Sequence, residues 1–461
     1  MKHSNDTFIY RELYNNLKED ILSFKYDSNE KLPSKREMAQ NLNVSVNSVK
    51  TAYEQLLEEG YIYTQERKGY FIEPLEKLIV EPQVTNTVTT STHQQEQQYR
   101  YSFSHMSTDI TQFPVDTWTK LMKQVFKHYS HRLSAIPDLK GPIELRQAIA
   151  KLVSYKRGIQ CNAQQIVIAS GTNVLLKQIM DVMDDDSKIA VENPGYFRFR
   201  DILQKTKRTT LPINLDDKGI SMSAIKSGKP DLVIVTPSHQ FPMGTIMPVS
   251  RRIDLLNWLT KTNGYVIEDD YDSEFKYNTD NIPSLYSFDK SDRVIYLGTF
   301  SKTLMPGLRL SYMVLPTSLV TEFEHINNNV IPDFSMINAL TLYLMIKDGH
   351  YERYIKKMSH FYAAKRAKLI EQLKETFQHL IKIHDTNAGL HFIVEVKTDY
   401  SYDDIEARAV SHEIELYTIN RFTVEPVHDQ SAFKTLIIGF SQLKIEVIPE
   451  AVNILRKVLI D

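Results

Sequence analysis

The sequence predicts an α/β protein: a large, mostly parallel sheet with helices on its faces, a smaller C-terminal unit, and a small helical head in front. Three observations carry this. From residue 101 onward, short apolar runs (Ile166–Ala169, Ile189–Val191, Leu232–Val235, Tyr265–Ile267, Val294–Leu297) alternate with longer helical stretches, as crossover-linked parallel strands do. Residues 7–75 instead carry three helical periodicities and then two short strands. At 461 residues the chain also exceeds one typical domain.

Composition narrows the class. With 55 Lys+Arg against 57 Asp+Glu the net charge is −2. No apolar run is long enough for a bilayer, and the polar start Met1–Asp6 is not a signal peptide. The single cysteine, Cys161, excludes an internal disulfide or a cysteine metal cluster. A cytoplasmic protein is expected, with no membrane partner.

The head comes first. Tyr10, Leu13, Tyr14, Leu17, Ile21 and Phe24 follow helical spacing. Ser34 and Glu37 form a capping box for a second helix with Met38, Ala39 and Leu42 inward. Ser45 caps a third, whose apolar face is Val49, Ala52, Tyr53, Leu56 and Leu57, ending at Gly60. Tyr61–Thr64 and Tyr70–Ile72 then flank a basic tip, a wing. Two short helices across a tight turn, followed by a wing, predict a winged helix-turn-helix over residues 7–75.

Such a head reads double-stranded DNA with the start of its third helix. Asn47, Ser48, Lys50 and Thr51 fall off the apolar face, free for bases or phosphates. Lys35 and Arg36 start the second helix; Arg67 and Lys68 tip the wing. With the capping serines Ser34 and Ser45, these are the candidate DNA contacts. Residues 1–75 hold ten Lys/Arg against twelve Asp/Glu, so one head is expected to bind modestly and two heads to help. A head used for protein contact is the alternative.

Residues 76–100 are polar and low in complexity (Thr85–Thr92, Gln94–Gln98). They read as a flexible tether spanning roughly 30 Å as a coil.

Residues 101–461 carry the chemistry. In Asp292–Arg309 a short apolar strand is followed by Thr299, Ser301, Lys302 and, past Pro306–Gly307, Arg309. A lysine just beyond a buried strand is partly desolvated, which makes its amine a nucleophile towards an aldehyde. Two hydroxyls and a guanidinium suit a phosphate. An aldehyde-bearing phosphate ester that takes a lysine is pyridoxal 5'-phosphate (PLP). The plain alternative is a strand, a turn and surface charges. The small-residue turn Ser170-Gly171-Thr172-Asn173 opens a helix after Ile166–Ala169, and such a turn presents N–H groups to a phosphate. Tyr265–Asp272 ends a strand in carboxylates. These could hold a metal, a reading set aside because no histidine lies near them in sequence.

Gly298-Thr-Phe-Ser-Lys302 with Arg309 resembles the cofactor-lysine motif of fold-type I PLP enzymes, in the variant of the MocR/GabR branch of GntR regulators. Leu32–Ala39, Ser45–Tyr53 and Glu59–Ile62 resemble the GntR head, at family spacing. The resemblance covers nearly the whole chain. It implies a PLP-dependent transferase (aminotransferase class I) body over 101–461, its small C-terminal subdomain at about 345–461. Lys302 would be the Schiff-base lysine, Asp269 the anion at the ring nitrogen, Tyr271 the partner of the ring oxygen, and Tyr196 a neighbour of the ring. Arg198 would meet an effector carboxylate.

There are departures. Transaminases of this kind place an asparagine where Phe241 stands, leaving His239 or Gln240 to compensate, and an arginine where Ile437 or Ile438 stands. Arg421 could reach in instead. The leading expectation is a transcription regulator that senses PLP, or an amino compound reacting with PLP, as a head-to-tail homodimer without full transaminase turnover. A working aminotransferase with an autoregulatory head, and a DNA-binding protein whose body is only a scaffold, are the alternatives.

Overall fold

The computed structural model describes residues 3–76, 99–272, 274–277, 282–384, 388–427 and 431–461. The chain divides into two compact units, Met1–Glu96 and Gln97–Asp461. Nearly all of the expected tether lies outside the described residues.

The first unit packs helices His3–Leu22, Lys35–Leu42 and Val46–Glu58 against an antiparallel hairpin, Ile62–Gln65 with Gly69–Ile72. Leu13, Leu17, Ile21, Val49, Ala52, Tyr53 and Leu56 close on Ile62 and Ile72. Full burial of such a side chain contributes about 1.5–3 kcal/mol, so the apolar spacing fixes how the helices meet. Three residues assigned to these inner faces lie elsewhere. The first helix stops at Leu22, and Phe24 follows it with φ 58, exposed. Leu42 and Leu57 point outward at 48% and 37% exposure, because each sits in the last turn of its helix, where the partner helix no longer covers it.

The second unit is built on an eight-stranded sheet. In spatial order its strands are Ile166–Ala169, Ser311–Val314, Val294–Thr299, Tyr265–Asp270, Leu232–Val235, Lys188–Asn193, Thr209–Asp216 and Gly219–Ile220. The five from Val294–Thr299 to Thr209–Asp216 pair in parallel; the remaining three pair antiparallel. Every residue of Leu232–Val235 and Ser311–Val314 is buried, as in a sheet covered on both faces. That is why Leu232–Val235 reads as an unbroken apolar run and not as an alternation.

The helical stretch expected from 337 to 373 is two helices, Met336–Lys347 and His350–Phe377. Gly349, at φ 70, breaks them. The second leads into an antiparallel sheet of Ile381–His384, His391–Lys397, Phe433–Gly439 and Tyr417–Thr418. Helices Tyr402–Ser411 and Ile448–Leu459 complete this unit. The start of the body is stitched to it. Tyr101–Ser102 pairs with Ile414–Glu415, and Gly439 donates its N–H to the Phe103 carbonyl.

Candidate functional site

The carboxyl ends of the parallel strands are where ligands sit in such sheets, and a cavity of about 180 Å³ lies there. Strand Val294–Thr299 delivers Thr299, Ser301 and Lys302 to its wall, and strand Tyr265–Asp270 delivers Asp269 and Tyr271. Gly171, Thr172, Tyr196, Arg198 and Arg309 also line it. The residues singled out in the body therefore meet in one place, apart from Arg421.

Asp269 and Asp270 show how the strand sorts its carboxylates. Successive residues point to opposite faces. Asp270 turns to the buried Arg157, Oδ2 to Nε 2.7 Å, and accepts from the Tyr296 hydroxyl at 2.5 Å. Asp269 faces the cavity with no hydrogen-bond partner among the described residues. Its pKa is pushed up to about 8, first by burial, then by the nearby carboxylates Asp270, Asp272 and Glu192. A cation set against it restores its charge. Lys302 donates from Nζ to the His105 carbonyl at 2.5 Å and lies 5.3 Å from the Tyr271 ring centroid. Burial lowers its pKa to about 8, while Asp272 and Asp269 pull the other way. That leaves an amine within reach of its neutral, nucleophilic form near neutral pH.

The opposite end of the cavity suits an anion. Helix Thr172–Val182 begins at Gly171 with no side-chain cap. A Cβ on Gly171 would come within 2.7 Å of the Arg309 guanidinium, so the glycine lets the arginine lie against the helix start. Thr299 Oγ1 accepts from the Ser301 N–H at 3.2 Å and from the Ser311 hydroxyl at 2.9 Å. The Ser301 hydroxyl is buried without a partner. An unpaired carboxylate, a buried amine, an orphaned hydroxyl and an uncapped helix start beside a guanidinium together fit PLP. Asp269 would hold its ring nitrogen, Lys302 its aldehyde carbon, and Ser301, Arg309 and the Gly171–Thr172 turn its phosphate.

Several placements correct the reading from sequence. Gln240 does not replace the missing asparagine: its amide is tied to Glu192 and to the carbonyls of Pro194 and Phe241. Phe241 itself lines the cavity. His239 Nδ1 lies 3.0 Å from the Tyr271 hydroxyl and 2.9 Å from Asp272 Oδ2. Histidines do lie near these carboxylates. His239, Asp272 and His391 bring potential ligand atoms within 4.8 Å of one another, assembled from three segments that spacing could not connect. Ile437 and Ile438 are fully buried in the small unit. Arg421 is outside the cavity wall, its guanidinium 4.5 Å from the Tyr417 ring and 5.3 Å from Phe197.

His105 and Met106 line the cavity and were not foreseen. The His105 ring packs 4.9 Å from Phe241 and 5.4 Å from Phe422, with neither nitrogen partnered. Burial, then Lys302, holds its pKa well below the ordinary value. No local pattern around residue 105 marks it.

In the head, Ser34 accepts from the Glu37 N–H at 3.3 Å and Ser45 from the Ser48 N–H at 3.0 Å. Ser48 is not on the open face. It is 4% exposed, its hydroxyl 2.9 Å from that of Ser45, because it sits under the first turn against the core. Asn47, Lys50 and Thr51 are exposed, as are Ser34, Arg36, Ser45, Arg67 and Lys68. The Thr51 hydroxyl donates back to the Asn47 carbonyl at 3.0 Å, and Lys50 lies 3.7 Å from Glu54. Lys35 is half-buried, its ammonium 5.4 Å from the Tyr70 ring centroid.

Residues 9–72 match the family described as bacterial regulatory proteins, gntR family; residues 102–418 match aminotransferase class I and II. The uncharacterized HTH-type transcriptional regulator YdeL of Bacillus subtilis (strain 168) is 34% identical over 98% of this chain and 96% of its own. The probable rhizopine catabolism regulatory protein MocR of Rhizobium meliloti is 26% identical over 98% and 94%. A kynurenine aminotransferase of Pyrococcus horikoshii shares the body's fold, with a TM-score of 0.69 at 23% identity over 77% of this chain and 90% of that one. Among the described residues no helix is long and apolar enough to cross a membrane.

Proposed function

This chain belongs to the aminotransferase class I and II family and carries a gntR-family head in front, and from that premise we propose that it is a PLP-dependent transcription regulator of the MocR type. The head binds double-stranded operator DNA, and the state of the cofactor at Lys302 sets how well it does so. The observation that carries this is the pairing of the two sites in one chain. One unit exposes Asn47, Lys50 and Thr51 on the third helix of a winged helix; the other gathers Lys302, Asp269 and Arg309 around one cavity.

When bound, PLP supplies an aldehyde carbon for amines and a ring that spreads negative charge. The chain's own groups do the rest. Asp269 keeps a charge beside the ring nitrogen once a cation faces it. Arg309 and the uncapped helix start anchor the phosphate. Arg198 offers a guanidinium to a carboxylate on an incoming amino compound. Phe241 gives the ring oxygen no hydrogen bond, and the buried Ile437 gives a substrate carboxylate no charge, which favours sensing over repeated turnover. A ligand shifts DNA binding only through a difference in affinity between two states of the body. A head-to-tail homodimer, with two heads whose spacing that difference alters, meets the need.

The test is binding of the full-length protein to DNA from upstream of its own gene, with and without PLP, at one stated salt concentration. A change in affinity or footprint with PLP alone makes the cofactor the effector. A change only when an amine is added makes the amine the effector. No DNA binding under any of these conditions, or sustained turnover of an amino donor and a keto acid without any effect on DNA, overturns the reading.

A further inference from the structure

The third helix of the head, Val46–Glu58, turns one face to solvent at its start. Val46 and Asn47 open that face. Lys50 and Thr51 stand one turn further on, in line with Val46 and Asn47 respectively. All four are exposed, Val46 at 46%, while Ser48 and Val49 between them are buried. The open face is therefore two short rows, Val46 with Lys50 and Asn47 with Thr51.

What each can offer a base follows from its chemistry and from the bonds it already makes. The Val46 side chain has neither donor nor acceptor. It gains only from an apolar surface, and in the major groove that surface is the thymine C5 methyl. The Thr51 hydroxyl gives its one proton to the Asn47 carbonyl at 3.0 Å, so it cannot also donate to a guanine. Its methyl stays available for an apolar contact. Asn47 carries a carbonyl acceptor beside an NH2 donor. That pair complements the N7 acceptor and N6 donor of adenine, whereas guanine presents two acceptors. Lys50 is the one cation of the four, and its ammonium lies 3.7 Å from Glu54.

Charge adds weight to these contacts. Residues 1–75 hold ten Lys/Arg against twelve Asp/Glu. Attraction to phosphates is then weak, and a tight complex depends on base contacts.

We propose that each head is specific for neighbouring A·T pairs, with Val46 packed on a thymine methyl, Asn47 paired with an adenine edge beside it, and the Thr51 methyl flanking them. This rests on the reading of the head as a DNA-binding unit and is independent of the cofactor.

The experiment selects bound sequences from random double-stranded DNA with the full-length protein, at one stated salt concentration. The selected duplex is then bound with each thymine replaced in turn by uracil, which lacks only the methyl. Neighbouring A·T pairs are expected to dominate the selected sequence. At one thymine the replacement is expected to weaken binding about 4-fold, as loss of one buried methyl implies. Val46→Ser is expected to abolish that uracil effect, and Val46→Arg to trade the thymine for a guanine. Asn47→Ala is expected to weaken the selected duplex roughly 10-fold and random duplex hardly at all. Val46 is not part of the head's core, and the uracil series on the parent protein decides without any variant. A selected sequence led by G·C pairs, no position sensitive to uracil, or a full uracil effect in Val46→Ser overturns the proposal. Equal affinity for every duplex also overturns it. Failure to bind any DNA refutes the DNA-binding reading itself, a different result from any of these.

Discussion

The helices Val46–Glu58 and Thr172–Val182 begin in opposite ways. The first is closed by the Ser45 hydroxyl, which accepts from the Ser48 N–H. The second opens on Gly171, with no side chain over its first N–H groups and the Arg309 guanidinium beside them. A closed start has its backbone donors partly satisfied and leaves recognition to the side chains that follow, here the exposed Asn47, Lys50 and Thr51 proposed to face DNA. An open start recognises an anion through the backbone itself. The same local device, finished or left unfinished, separates a helix proposed to read a surface from one suited to a small phosphate.

The open site fails most completely at its covalent anchor. Lys302→Ala is expected to abolish retention of PLP and its visible absorption on gel filtration, while the helix start is untouched. The next effect is on stability. Asp269 has a folded-state pKa raised from 3.8 to about 8, so between those values the folded, cofactor-free protein binds a proton that the unfolded chain gives up. Its stability then falls as pH rises through that window, by at most about 1.4 kcal/mol per pH unit. Asp269→Asn is expected to flatten the slope in denaturant titrations of the PLP-free protein. Arg309→Ala removes charge-assisted hydrogen bonds to the phosphate, about 2 kcal/mol, and is expected to weaken PLP roughly 10- to 100-fold by equilibrium titration. The closed site gives the smallest effect. Ser45→Ala is expected to cost about 1 kcal/mol in the head's unfolding transition. A larger cost to PLP uptake than to the head would break the contrast between the two helix starts.

What could be read in advance follows the same division. Five of the eight strands of the large sheet announce themselves because burial on both faces leaves them largely apolar; Thr209–Asp216, largely open to solvent, and Ser311–Val314, which opens on a serine, do not. Lys302, Asp269 and Arg309 lie close to strand ends in recognisable order. The head's helices show through capping serines and spacing. What stayed hidden is convergence. Nothing near residue 105 says that its carbonyl meets Lys302, and nothing near Asp272 says that His239 and His391 pack beside it. Ser48 was misplaced for a related reason. Periodicity separates an apolar face from the rest, but a small polar residue at the boundary goes under the turn when its capping neighbour bonds to it. Gly349 gives no clear break signal in the sequence because a single glycine inside a helical pattern is tolerated at a cost of only about 1 kcal/mol.

The hydrogen bond from Lys302 to the His105 carbonyl has one more consequence. An ammonium carries three protons; the same nitrogen joined to a carbon by a double bond carries at most one, and it must lie where the ring is. A cofactor captured at Lys302 would therefore take away the donor that the His105 carbonyl holds. His105 lies in the chain that follows the strand Tyr101–Ser102. Loading the lysine would thus exchange one bonding partner for another and leave the His105 carbonyl, between Ser104 and Met106, to find a new donor.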